Sequence, residues 1–326
     1  MRRVAAALIW TLLLAACTTA GHASSPLTVI HPTPSTATAD PAVPRPVTSA
    51  PVPTPRAPPS RSRSAHTEAG SGRILGRERV VAYYGVPNNK ALGVLGSAPP
   101  ERIAPQIIRR AAQFRGYGRP VQPAMELVAT VAQGAPGPTG RYSKPVPAPV
   151  IAHYLEVAHA YRMLLILDLQ PGRSTFLAQA RALRPFLLDP SVSLALDPEW
   201  QVGPGQKPGG GRIGASSAAG INAVGSWLSA LIRAHHLPDK LLIVHQFTRR
   251  MLPDRERITQ HRNVEMVLHA DGFGTPAAKI STFDRLAFPH PPFGVGFKLF
   301  LTHDRGLMSP AEVMALRPRP AVITYQ

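Results

Sequence analysis

Val192-Ser193-Leu194-Ala195-Leu196-Asp197-Pro198-Glu199-Trp200 is the stretch on which the fold turns. Successive side chains of a strand point to opposite faces. Val192, Leu194 and Leu196 therefore share one face, suited to packing on helices. Ser193, Ala195 and Asp197 share the other, and Glu199 joins them if the chain stays extended. Two carboxylates then leave the C-terminal end of one strand on the same side.

Outward from this stretch the pattern repeats. Short β-rich runs are expected at 80–84, 125–131, 163–169, 192–197, 241–246, 264–269, 295–301 and 321–325. Helical patterns lie between them at 101–114, 150–161, 174–186, 218–235, 277–286 and 310–316, with a short one at 255–261. Strands that alternate with helices imply parallel β-α units. Their number and the length of the region favour an α/β fold, a single (β/α)8 TIM-type barrel, over an open sheet. No G-x-G-x-x-G follows the first strand, so a dinucleotide fold is disfavoured. The last strand has no helix after it, and another element must cover that seam.

Catalytic groups of a barrel come from the C-terminal ends of its strands and the loops that follow. Polar residues gather there: Asp168 and Gln170 after the third strand, Asp197, Glu199 and Trp200 after the fourth, His245 and Gln246 after the fifth, and Asp271 after the sixth. In the seventh strand Val295, Phe297 and Leu299 form a helix-facing set, which turns Lys298, and beyond the strand Asp304, inward. A buried lysine needs a counter-charge, and Glu126, Asp168 and Asp197 are the candidates. Tyr83 and Tyr84 of the first strand, with Trp200, are candidate sugar-stacking faces.

Asp197-Pro198-Glu199 carries the sharpest chemistry. One carboxyl of such a pair can stay protonated as a general acid while the other stays ionised, the division of labour that glycoside hydrolysis uses. An Asp-x-Glu at the end of the fourth barrel strand resembles the lysozyme-type muramidases of glycoside hydrolase family 25 and, more loosely, the chitinase-like family 18. That resemblance implies Glu199 as the acid and Asp197 as its stabilising partner. Two positions depart from it. Tyr83-Tyr84-Gly85 stands where the muramidases carry an acid, and Ser193 and Ala195 stand where the chitinases carry aspartates.

Other chemistries are weaker. His245, His269, Asp271, His303 and Asp304 are metal-ligand types, but the first strand has no His-x-His of the amidohydrolase kind. The glycine-rich loop at 203–211 lacks the Gly-Lys-Ser/Thr ending of a P-loop and reads as an active-site lid. No Gly-x-Ser-x-Gly elbow is present. No metal and no cofactor are expected. The alternatives to a glycosidase are a noncatalytic glycan-binding or scaffold lipoprotein and a metal-dependent hydrolase.

The N-terminus places the barrel. Arg2-Arg3 and a short apolar run have the layout of a secretory signal peptide, and the run is too short to span a bilayer. It ends Leu14-Ala15-Ala16-Cys17, which resembles the lipobox of bacterial lipoproteins, a family in which the cysteine is acylated. Cys17 is the chain's 1 cysteine, so it has no internal disulfide partner. The expected organisation is a signal peptide at 1–16, a lipidated Cys17 leading a Pro/Ser/Thr-rich disordered tether at 17–76, and the barrel at 77–326. At ~3.1 Å per extended residue, about 50 tether residues reach on the order of 150 Å. The expected location is the bacterial envelope, membrane-anchored and extracytoplasmic. A net charge of +18 suits anionic lipid or acidic wall polymers. The expected partners are the membrane, through Cys17, and cell-wall polysaccharide or peptidoglycan, bound by a monomer with no role for nucleic acid.

Overall fold

The computed structural model describes residues 73–287 and 293–326. The signal peptide, Cys17 and nearly all of the tether lie outside the described residues.

The chain opens with a helical turn, α1 (Ile74–Arg77), and then lays down the first parallel pair, β1 (Arg79–Gly85) and β2 (Val121–Ala132). A short antiparallel strand, β3 (Ser143–Pro145), returns along the end of β2. The remaining strands are β4 (Leu164–Leu169), β5 (Val192–Leu196), β6 (Lys240–Gln246), β7 (Val264–Ala270), β8 (Gly294–Leu299) and β9 (Val322–Tyr325). All of them run parallel to their barrel neighbours. Pairing of β1 with both β2 and β9 closes the sheet into a barrel. The expected (β/α)8 fold is therefore the observed one. The only strand not anticipated is β3, a hairpin return in a stretch rich in Pro and Gly.

The helices are α2 (Pro100–Ala112), α3 (Ala148–Ala160), α4 (Phe176–Ala182), α5 (Arg184–Leu187), α6 (Ala218–Ala234), α7 (Pro276–Ala287) and α8 (Pro310–Ala315). The helix expected at 174–186 is two pieces, broken at Leu183, with Pro185 in the first turn of the second piece, where its missing N–H is tolerated. The one expected at 255–261 is a single 3₁₀ turn, Arg255–Arg257. Met251, Leu252 and Ile258 of that connection are buried and fill the layer instead of a helix. Ser217 caps α6, its side chain accepting from the Gly220 amide.

Strand alternation separates two apolar layers. Val192, Leu194 and Leu196 pack outward with Val295, Phe297 and Leu299 against the helices. Val80, Ala82, Ala124, Ile166, Ala195, Ile243 and Val267 fill the barrel interior. With Leu241 they form an aliphatic set of mostly small or β-branched residues that fills the lumen of a barrel of this size. Leu75 of α1 joins that inner set, and Glu265 accepts hydrogen bonds from the amides of Ile74 and Leu75. The N-terminal end of the barrel is thus plugged by residues just ahead of position 77.

The seam beside β9 is covered by α2 and the residues after it. Tyr325 is buried against Tyr83, with ring centroids 6.2 Å apart, and against Phe114 at 6.4 Å. The Arg110 guanidinium lies 4.6 Å from the Tyr325 ring centre. One helix thereby serves both ends of the closing pair.

Candidate functional site

The C-terminal mouth of the barrel holds a buried set of ionisable side chains, each on the inward parity of its strand. Glu126 comes from β2, Asp168 from β4, Asp197 from the end of β5, His245 from β6, His269 and then Asp271 from β7 and its end, and Lys298 from β8. Glu126, Asp168, His245 and His269 are all 0% exposed. Burying this much charge is costly unless the groups pair or change protonation. Both solutions are present, on different sides of the mouth.

One side forms a chain of alternating charge. His245 Nε2 lies 2.8 Å from Glu126 Oε1, and His245 Nδ1 lies 3.2 Å from Asp271 Oδ2. Lys298 Nζ lies 3.1 Å from the same Asp271 oxygen. Burial and Lys298 oppose charge on His245, but Glu126 and Asp271 outweigh them and raise its pKa well above the ordinary histidine value. His245 is an imidazolium held between two carboxylates. Burial likewise opposes ionisation of Glu126, and His245 overcomes it, bringing Glu126 down to about 2. Asp271 is also held low, by Lys298 and His245 against the effect of burial.

His269 has a different state beside the same chain. Thr324 Oγ1 donates to Glu126 Oε2 at 2.8 Å and lies 3.0 Å from His269 Nε2. A hydroxyl has one proton to give, so His269 is the donor to Thr324 and carries its proton on Nε2. Burial and the neighbouring His245 depress its pKa to about 3, which keeps it neutral. Gly296 makes room for this ring. A Cβ there would stand 2.6 Å from His269 Cδ2.

The other side holds acids with no counter-charge. Among the described residues, both carboxylate oxygens of Asp168 and Oδ1 of Asp197 are buried without a hydrogen-bond partner. Asp197 Oδ2 accepts from the Trp200 indole N–H at 3.1 Å. Burial, with Glu126 adding to it, raises Asp168 to about 6, against the pull of His245, Lys298 and the Tyr84 hydroxyl toward ionisation. Burial and the nearby Asp168 raise Asp197 to about 8. Glu199 is a half-buried residue on the 3₁₀ turn Pro198–Trp200. Its carboxyl is crowded by protein and pushed well above the usual range, first by burial and then by Asp197 and Asp271.

Several expectations need correction. The partner of Lys298 is Asp271, not Glu126, Asp168 or Asp197. Tyr83 faces the helix layer, because the inward face of β1 belongs to Val80, Ala82 and Tyr84. Gln246 has the parity opposite to His245. It donates to the Thr248 carbonyl and accepts from Arg255 outside the barrel lumen. Asp304 does not enter the mouth. It accepts from the Gly274 and Phe300 amides and pairs with Lys279 at 3.1 Å, stapling two loops. Tyr84 does face the mouth, but Lys298 Nζ sits 3.6 Å from its ring centre, and the ring is not open for stacking. Gln170 is structural, tying the Tyr84 hydroxyl to the Ala132 amide.

One group at the rim escaped sequence reading. Phe273, 43% exposed, packs edge-on to Phe300 and tilts against His303, each at 5.8 Å. Phe300 in turn lies 5.5 Å from Lys298 Nζ. This aromatic cluster links the buried charge chain to the surface. The available signal was the position of Phe273 two residues beyond Asp271 in a strand-end loop.

The glycine-rich loop is held by the Val202 amide donating to Gly172 O, the Gly214 amide donating to Glu199 O, and Arg173 Nε donating to Gln206 O at 2.7 Å. Among the described residues, no three His, Cys, Asp or Glu side chains are arranged to hold a metal ion.

Neither a protein-family model nor a curated protein matches the sequence. A solved structure, that of a GH18 chitinase from Pseudoalteromonas aurantia, is similar at a TM-score of 0.39 and 9% identity, over 76% of this chain and 93% of that one. The barrel itself rests on the strand pairings of this chain and takes nothing from that similarity.

Proposed function

We propose that the barrel acts on a cell-wall glycan as a glycoside hydrolase, with Glu199 as the proton donor. The observation that supports this reading is the set of buried acids, Asp168, Asp197 and Asp271, at the C-terminal mouth of the barrel, with Glu199 on the turn that follows Asp197. A carboxyl that holds its proton at neutral pH is what a general acid must be. In the proposed step Glu199 gives its proton to the glycosidic oxygen as the bond to the anomeric carbon breaks. Water adds to that carbon, and its proton returns to a carboxylate of the mouth. Asp168 is ionised for the most part at neutral pH and Asp197 is not, so the developing positive charge falls to Asp168, with Asp197 orienting. The test is release of reducing ends from purified wall material by wild type and by Glu199→Gln.

The noncatalytic glycan-binding reading is favoured by a separate observation. Asp168 is 0% and Asp197 1% exposed, so neither carboxyl presents a surface on which a substrate could be cleaved. A bound wall glycan that is never cleaved, by protein that retains Glu199, would support that reading.

We also propose that the chain is exported and anchored through a lipid on Cys17. The support is the sequence alone: Arg2-Arg3, the short apolar run and Leu14-Ala15-Ala16-Cys17. Metabolic labelling with a fatty-acid probe, compared with Cys17→Ser, tests it.

A further inference from the structure

The charges of the mouth do not balance. Its acids are Glu126, Asp168, Asp197, Glu199 and Asp271; its cations are His245 and Lys298, with His269 neutral. The cations are spent on Glu126 and Asp271. Asp168, Asp197 and Glu199 remain, from two adjacent strands and the turn after the second. Asp168 is fully buried and forms no ion pair, and the Tyr84 hydroxyl is the one side-chain donor that acts on it among the described residues. An unsatisfied buried carboxylate costs more than an ordinary lost hydrogen bond, so this side of the mouth is built for a donor or cation that the protein does not supply.

We propose that the sugar bound at this site carries a free, protonated amino group, making the substrate a glycan of N-unsubstituted amino sugars. This deepens the glycoside hydrolase reading and rests on it. An ammonium has N–H donors and one positive charge, which suits Asp168 and Asp197, two buried acids on neighbouring strands with unpartnered oxygens and no ion pair. An acetylated amine has one N–H, no charge, and a carbonyl that would face carboxylates. A metal ion fits less well, since no three ligands converge on one point among the described residues. Surface attraction cannot imitate the effect, because the chain's net charge of +18 repels a cationic glycan. The elevated proton affinity of Asp197 agrees with this, because an ammonium bound beside it would displace its proton.

The experiment is calorimetric titration of the full chain at pH 7 with a tetramer of glucosamine and with a tetramer of N-acetylglucosamine. Two buffers of different ionisation enthalpy are used. The glucosamine tetramer is expected to bind at least about tenfold tighter, a preference of about 1.4 kcal/mol, with release of protons to the buffer. In Asp168→Asn the preference is expected to shrink to within about threefold. Equal binding of the two tetramers, or tighter binding of the acetylated one, overturns the proposal and leaves the glycan reading standing. Failure of both tetramers to bind overturns the two together. The wild-type comparison and its proton release decide the matter even if Asp168→Asn does not fold.

Discussion

Lys298 reaches across from β8 to Asp271 and meets its carboxylate at 3.1 Å. Because His245 shares that oxygen, the mouth's only two cations are engaged on one side, among the described residues. The opposite acids must then hold protons or meet a ligand.

Breaking this pair exposes its worth. Removal of one member of a buried ion pair leaves the other charge uncompensated, at a cost of about 3–5 kcal/mol. Lys298→Met is expected to lose stability in that range in denaturant titrations at pH 7. A loss below about 1 kcal/mol would mean that Lys298 is not the counter-ion described.

The pH dependence of stability follows from the two sides together. Asp168 and Asp197 have folded pKa values of about 6 and about 8, above the unfolded value of about 3.9. The folded state therefore binds more protons, and their contribution is lost as pH rises from about 4 through those values. His245, raised as well, acts in the same direction above its unfolded pKa. Glu126 is depressed to about 2, so its contribution is lost as pH falls from its unfolded value of about 4.3 toward 2. His269, depressed to about 3, opposes this between about pH 3 and 6.5, but the two aspartates outweigh one histidine, so thermal melts should peak on the acidic side, below about pH 6, and decline toward pH 8. Asp168→Asn should flatten the decline. A stability maximum above pH 7 would contradict these assignments.

The interior next to His269 tolerates no added volume. A Cβ on residue 296 meets the imidazole at 2.6 Å, and overpacking costs typically about 1–3 kcal/mol. Gly296→Ala should lower the melting temperature measurably and displace the His269 ring signals in NMR spectra. An unchanged melting curve would mean that the ring is not confined there.

At the rim, Phe273→Ala removes an exposed ring. The expected effect is glycan binding weaker by about 1 kcal/mol, roughly fivefold, with stability nearly unchanged. Binding that is unaffected would remove the aromatic rim from the substrate path.

The fold was legible because strand alternation is local. Val192, Leu194 and Leu196 announce their helix-facing side without reference to any other strand, and the inward placement of Asp197 follows. Parity alone also turned Lys298 inward. Its partner was not legible, because the choice among Glu126, Asp168, Asp197 and Asp271 depends on the stagger between strands. Asp271 lies one residue beyond β7, and the register of β7 with β8, Ala270 opposite Phe297, sets it level with Lys298. Tyr83 and Gln246 were misplaced for a simpler reason: each is adjacent in sequence to an inward residue, and adjacency in a strand means the opposite face. Asp304 follows a strand that has already ended at Leu299, so alternation no longer governs it.

The central claim is that Glu199 delivers a proton to a glycosidic oxygen. Reducing-end release from purified wall material, measured for wild type, Glu199→Gln and Asp197→Asn at equal folded concentration, tests it most directly. Loss of a general acid typically costs about 10²–10⁴-fold. Wild type should release reducing ends, and Glu199→Gln should fall by at least about a hundredfold while its melting temperature holds. Equal rates for wild type and Glu199→Gln would contradict the account.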